Sequence, residues 1–191
     1  MQQSSPFRMI ATLVLVCIVA AGGLSLTYAV TKDQIAKEKK KDEAKAYMAV
    51  LPKVTNPNDF VPMDATTKEA AAKFPELIKV VKAQVADRVE GYVVVLGPRG
   101  YGGPVQMAVG LTPGGETTDV AFIANGNNET QGLGTQALAP NFTKQFAGKT
   151  AADQLEIGKD VDAITGATRS SRAVTTGAKD AVTIFKDYIG R

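Results

Sequence analysis

Apolar and polar positions change their spacing several times along this chain. Residues 9–30 form a run of 22 positions without a charge. Wound as a helix, such a run reaches about 33 Å, enough to cross a bilayer. Thr12, Gly22, Gly23, Ser25 and Thr27 interrupt it only mildly, and transmembrane helices tolerate such residues. Residues 35–51 are dense in charge and contain the good helix formers Ala36, Ala44, Ala46 and Met48, so the spacing predicts a polar helix continuing outward until Pro52 stops it. Asn56-Pro57-Asn58 and Pro62 mark a loop. Residues 66–72 predict a short helix, with Thr66 as its cap and Glu69 three residues on.

Beyond this point the period shortens. Residues 78–86 are apolar and fit either a strand or a helix. Residues 89–96, 105–111 and 117–123 are short, rich in β-branched residues and bounded by Gly-Pro clusters, which predicts strands of a meander. A polar, glycine-rich loop is expected over 125–134, a helix over 136–146, and a further strand starting at 155–157. The last helix is expected over 171–189. Its Val174, Ala178, Ala181, Val182, Phe185 and Ile189 recur at helical spacing and form one buried stripe. The fold class predicted is α+β: a curled, mainly antiparallel sheet packed by a long C-terminal helix and preceded by one N-terminal transmembrane helix.

Composition narrows the chemistry. The chain has no histidine and a single cysteine, Cys17. Histidine general bases, His-ligated haem, Cys-ligated iron–sulfur clusters, an intrachain disulfide and Ser-His-Asp or Cys-His nucleophiles are therefore excluded. Cys17 sits in the apolar run and reads as a small hydrophobe, with Val16 before it too bulky for lipoprotein processing. No catalytic residue and no metal ligand is assigned, and redox work would fall to an organic cofactor. Arg8 is the single charge in the first 31 residues, leaving 21 basic against 19 acidic residues beyond it. That balance, with no recognition motif, makes no case for nucleic acid.

The apolar run reads as a retained anchor; the rival is a cleaved secretory signal ending near Thr27-Tyr28-Ala29. Six lysines between Lys32 and Lys45 follow it, against Arg8 and the amino terminus before it. A positive-inside count puts the C-terminal part in the cytoplasm.

The most informative stretch is Asp162-Ala163-Ile164-Thr165-Gly166-Ala167-Thr168-Arg169-Ser170-Ser171, at the expected start of the last helix. Unpaired N–H groups at a helix start attract anions, small residues at Gly166 and Ala167 let a phosphate approach the backbone, and Arg169 offers a fork suited to its oxygens. The residues alone leave two readings, a Thr/Ser-rich helix cap and an anion seat.

This stretch resembles the attachment motif of the FMN-binding domain family, shared by the G subunit of the Rnf electron-transport complex and the C subunit of the sodium-pumping NADH:quinone reductase. The resemblance implies that Thr168 carries FMN through a phosphoester, with Thr165, Gly166, Ala167, Arg169, Ser170 and Ser171 around it. It also implies that a flavin transferase using FAD and magnesium installs the cofactor, with Asp162 part of its target. Glu129-Thr130-Gln131-Gly132-Leu133-Gly134 resembles the family's Glu-Thr-Pro-Gly-Leu-Gly loop beside the flavin ring, which implicates Glu129, Thr130, Gly132, Leu133 and Gly134. Gln131 replaces the proline, and Asn127 and Asn128 stand where many members have a histidine. Gly100-Tyr101-Gly102-Gly103 is a looser third match.

On this resemblance, residues 1–8 are an N-terminal tail, 9–30 a transmembrane anchor, 31–88 a helical stalk and connecting segment, and 89–191 the FMN-binding domain. The length favours the G subunit of the Rnf complex. The implied function is that of a membrane-anchored flavoprotein, not catalytic alone, relaying electrons in a complex that couples ferredoxin/NAD electron transfer to Na+ or H+ translocation. Its partners would be the other membrane subunits. The family puts the C-terminal domain on the extracytoplasmic side of the cytoplasmic membrane, against the lysine count. The alternatives are an FMN-carrying component of a Na+-pumping quinone reductase or another extracytoplasmic reductase, and a non-redox bitopic scaffold in which Thr168 only caps a helix.

Overall fold

The computed structural model describes residues 6–123 and 129–191, so Asn127 and Asn128 lie outside the described residues. Contacts divide the chain into two units, Met1–Lys41 and Asp42–Arg191. The described part of the first unit is one helix. α1 runs Pro6–Val50 without a break and contains one stretch long and apolar enough to cross a membrane. The expected polar helix is the continuation of the same element, and its last turns, from Asp42 on, belong to the second unit.

The second unit is built on a five-stranded antiparallel meander. β1 is Phe60–Pro62, β2 Leu77–Val85, β3 Arg88–Leu96, β4 Met107–Leu111 and β5 Thr117–Phe122, paired in chain order. β1 and β2 come from the stretch assigned to the stalk and connecting segment. Residues 78–86, ambiguous in the sequence, are strand, and a two-residue turn with Ala86 and Asp87 at φ 46° and 67° joins β2 to β3. That geometry matches the right-handed twist of the strands it connects.

Both faces of the sheet are covered, which explains why its central strands read as unbroken hydrophobic runs. On β3, Val94 and Leu96 belong to one core, with Met107, Val109 and Val120. Val93 and Val95 belong to the other, with Ala46, Tyr47, Val50, Leu51 and Val54 from the end of α1 and the turn after it. Gly110 makes the second contact possible, since a Cβ there would come within 2.7 Å of the Val50 carbonyl oxygen. The first core is closed by α4, Thr168–Ile184. The stripe predicted from spacing is the buried one: Val174, Ala178, Ala181, Val182 and Phe185 pack on the sheet, with Ile189 partly covered. Gly177 lies against the end of the Met107 side chain, which a Cβ there would displace.

Several expected elements differ. α2 is Asp64–Ala71 and begins two residues before the predicted cap. Its N-cap is Met63, and Thr67 Oγ1 instead donates to the Met63 carbonyl and accepts from the Val80 N–H. The helix expected over 136–146 is broken into a 3-10 turn at Gly134–Leu138, a one-turn α3 at Pro140–Thr143 and a second 3-10 turn at Lys144–Phe146. Pro140 supplies no N–H to an incoming helix, so it starts a new turn. No strand begins at 155–157; Ile157 makes one isolated bridge to Val161. The Asp160 carboxylate accepts the Leu155 and Glu156 N–H groups at 3.0 and 2.8 Å, and Lys149 at 3.3 Å, which holds Leu155 at φ 46° with its side chain in the core. These bonds, led by that from Glu156, hold the Asp160 carboxyl below the usual carboxylate range.

Candidate functional site

The start of α4 is set by a tight turn. The Ala167 N–H donates to the Ile164 carbonyl at 3.0 Å with Gly166 at φ 80°, the third position of a type II turn that side chains disfavour. Ser171 closes it from below. Its hydroxyl accepts the Ile164 N–H at 3.1 Å and donates to the Ala167 carbonyl at 3.0 Å. Ser171 is therefore a fully buried structural clip, while Thr165 and Gly166 stand exposed on the turn.

Ala167, not Thr168, is the N-cap, and among the described residues no side chain caps the helix. The first-turn N–H groups are left open, the condition that makes a helix start attractive to anions. Thr168 occupies the first helical position. It is exposed, and among the described residues its hydroxyl makes no hydrogen bond. The cap reading of Thr168 is thereby removed: the side chain satisfies no backbone group of its own helix.

A second segment is pinned to this one by Glu129. Its carboxylate is buried and accepts the Ser170 hydroxyl at 2.7 Å and the Tyr101 N–H at 2.8 Å. A Cβ at Gly100 or at Gly134 would collide with one or the other carboxylate oxygen. One acidic side chain thus gathers all three stretches singled out in the sequence: 100–103, 129–134 and 162–171. Beyond Glu129 the loop turns at Gly132, φ 75°, where the Gly132 N–H donates to Thr135 Oγ1 and Gln136 Nε2 donates to the Gly132 carbonyl.

Two hollows flank the assembly. The first, about 330 Å³, is walled by Tyr101, Thr130, Leu133 and Gly134 on one side and by Gly166, Ala167, Arg169 and Ser170 on the other, with Glu129 at its base. Tyr101 and Leu133 are exposed apolar or aromatic surface there, 70% and 44% accessible. Walls of that kind suit a flat ring. The second, about 550 Å³, is lined by Thr168 with Arg99, Arg169, Arg172 and Glu76. Asp180, further along α4, is pushed up to about 6, mainly by burial and then by the charge of Glu76.

Of the residues named from the sequence, Glu129, Thr130, Leu133, Gly134, Gly166, Ala167, Arg169 and Ser170 share the first hollow, and Thr168 opens on the second. Gly132, Thr165 and Ser171 line neither; they shape the turns. Asp162 is exposed to one side, its backbone clipped by two hydrogen bonds to the Gln145 amide, at 2.8 and 3.3 Å. Gln145, Arg99 and Arg172 were missed in the sequence. Nothing in their local pattern marks them, because they reach the site from a 3-10 turn, a loop and the second turn of α4. The residues present fit a phosphorylated planar cofactor: a free hydroxyl, three guanidinium groups and a mainly apolar hollow meet at one helix start.

Comparison with known proteins gives the family. Residues 100–183 match the FMN-binding domain family. The chain is 33% identical to the G subunit of the Na(+)-translocating ferredoxin:NAD(+) oxidoreductase complex of Acetobacterium woodii, over 95% of this chain and 92% of that protein. It is 31% identical to the G subunit of the ion-translocating oxidoreductase complex of Methanosarcina acetivorans, over 95% and 93%. Among solved structures, the C subunit of the Na(+)-translocating NADH-quinone reductase from Parabacteroides distasonis superposes with a TM-score of 0.58 at 16% identity, covering 82% of this chain and 96% of that one. The sheet and C-terminal helix are thus a known arrangement, and the chain, with its match to the FMN-binding domain, belongs to the family of G subunits of ion-translocating oxidoreductase complexes.

Proposed function

We propose that this chain is the membrane-anchored electron-transfer component of an Rnf-type complex, coupling ferredoxin/NAD electron transfer to Na+ or H+ translocation, and that FMN is held as a phosphoester on Thr168. The observation that carries the covalent part is the Thr168 side chain itself. It is exposed, unbonded and at the uncapped first position of α4, inside the matched residues 100–183. The likeness to the two G subunits along nearly their whole length supports the complex.

When bound, FMN supplies electron transfer in single or paired steps. The chain's own residues do the rest. Glu129 fixes the spacing between the Tyr101 loop and α4. Tyr101 and Leu133 offer a ring-sized wall, and Gly166 and Ala167 keep bulk away from the phosphate end. No residue is required to act as acid or base, which accords with a chain lacking histidine.

A flavin transferase is the maturation partner in this reading, with Asp162 part of what it recognises; the exposure of Asp162 six residues before Thr168 supports that role. The domain is assigned to the extracytoplasmic side, where an ester to the chain retains a cofactor that would otherwise diffuse away. The anchor pairs with helices of the other subunits through Gly22, Gly23 and Ser25, small residues that allow close approach.

The test is in-gel flavin fluorescence. The full chain co-expressed with a flavin transferase fluoresces on a denaturing gel, and Thr168→Val does not. A fluorescent Thr168→Val band removes the assignment.

A further inference from the structure

Arg99, Arg169 and Arg172 line one groove with Thr168. Arg99 comes from the β3–β4 connection, the other two from the first turns of α4. Arg99 is held by paired backbone: it bridges to Pro104, and the Val105 N–H donates to the Pro98 carbonyl at 2.8 Å. All three arginines are exposed, and among the described residues none forms an ion pair. Glu76 is the one carboxylate among the residues lining the groove.

This arrangement runs against local preference. Cations are unfavourable in the first turn of a helix, yet α4 carries Arg169 there, with Arg172 one turn on and no acidic residue in the first turn. A third cation brought in from a separate loop adds like-charge repulsion. Local rules broken together at one place mark a site whose missing partner is an anion. The residues divide the two hollows by chemistry: Thr168 and the arginines on one side, Tyr101 and Leu133 on the other, with Arg169 lining both.

Resting on the covalent reading above, we propose that this groove is the phosphoryl seat, and that Arg99 and Arg172 bind the phosphoryl oxygens alongside Arg169. A planar guanidinium matches such oxygens in forked geometry. Arg99 also ties the β3–β4 connection to the cofactor, so that loading fastens this loop to α4.

The experiment is arginine footprinting with phenylglyoxal on the full chain in detergent, before and after loading by a flavin transferase, read residue by residue by mass spectrometry. Loading is expected to slow modification of Arg99 and Arg172 by at least about threefold, as charge-assisted bonds to an anion shield them. Arg88, exposed on β3, is the control and keeps its rate. Unchanged reactivity at Arg99 or Arg172 in chains whose mass includes FMN overturns the phosphoryl seat and leaves covalent attachment standing. A chain that gains no FMN mass beside an active transferase overturns the covalent reading, and the seat with it.

Discussion

Glu129 shows how much of this site depends on single side chains. It accepts two hydrogen bonds in a buried position and is boxed in by two glycines. Replacing it with alanine leaves the Ser170 hydroxyl and the Tyr101 N–H unpaired, a cost of about 2–4 kcal/mol. Chemical denaturation of Glu129→Ala is expected to read that loss, together with weaker FMN loading. Gly166 is the second such residue. At φ 80° an alanine is strained by about 1–2 kcal/mol. Gly166→Ala should therefore lower the melting temperature and slow loading even though the new methyl touches only Leu133. Asp180 gives a pH signature. Burial, then the charge of Glu76, raises its carboxyl to about 6, and Lys179 opposes the shift only partly. A carboxyl raised in the folded state destabilises that state when ionised. The penalty is absent below the unfolded value near 4, grows as pH rises, and is complete above about 6. Asp180→Asn should be more stable than the parent at pH 8 by about 1 kcal/mol after allowance for solvent screening, and equal to it below about pH 4. An advantage that persisted at pH 3.5 would contradict this.

At the scale of elements, the sequence was legible where one physical rule acted alone. The stripe of α4 and the strands β3 to β5 are written in periodicity, since helix and sheet bury one another along it. The motif around Thr168 was legible as residue types, and its turn geometry explains them: glycine for the left-handed corner, a small residue at the cap, Ser171 as the clip. What was not legible depends on distant partners. β2 was ambiguous because its turn uses Ala86 and Asp87, not the Asn-Gly that announces such hairpins. Thr66 looked like a cap, but the backbone of α2 is organised by Thr67 against Val80. Residues 155–157 looked like a strand because Leu155 is apolar; Asp160 instead holds them in a loop. Arg99 and Arg172 carry no local signal and gain meaning only when the loop and helix meet. The hairpin offers a direct check. Asp87→Gly relieves a left-handed conformation at φ 67° and should stabilise the chain by about 1 kcal/mol in urea unfolding. A loss of stability would mean that the turn is not the one described.

For the whole molecule the fold supplies a platform and the membrane segment supplies a place. The sheet is sealed on both faces, by α4 and by the end of α1 with the turn after it, so the site forms at one end of α4 without drawing on either core. The lysines after the anchor count toward the cytoplasm, against the extracytoplasmic side proposed above. Thr66, on α2 and lining neither hollow, provides a reporter once converted to cysteine. In intact cells, an impermeant maleimide is expected to label Thr66→Cys in a Cys17→Ala background. Labelling only after lysis would reverse the proposed orientation and uphold the lysine count.

The central claim, a cofactor esterified to Thr168, is tested most directly by peptide mapping of the full chain matured beside a flavin transferase. Trypsin releases residues 160–169 as one peptide holding Thr165 and Thr168. The account predicts that this peptide is heavier by FMN less one water and that fragmentation puts the added mass on Thr168. A peptide of unmodified mass, or one modified on Thr165, would contradict it.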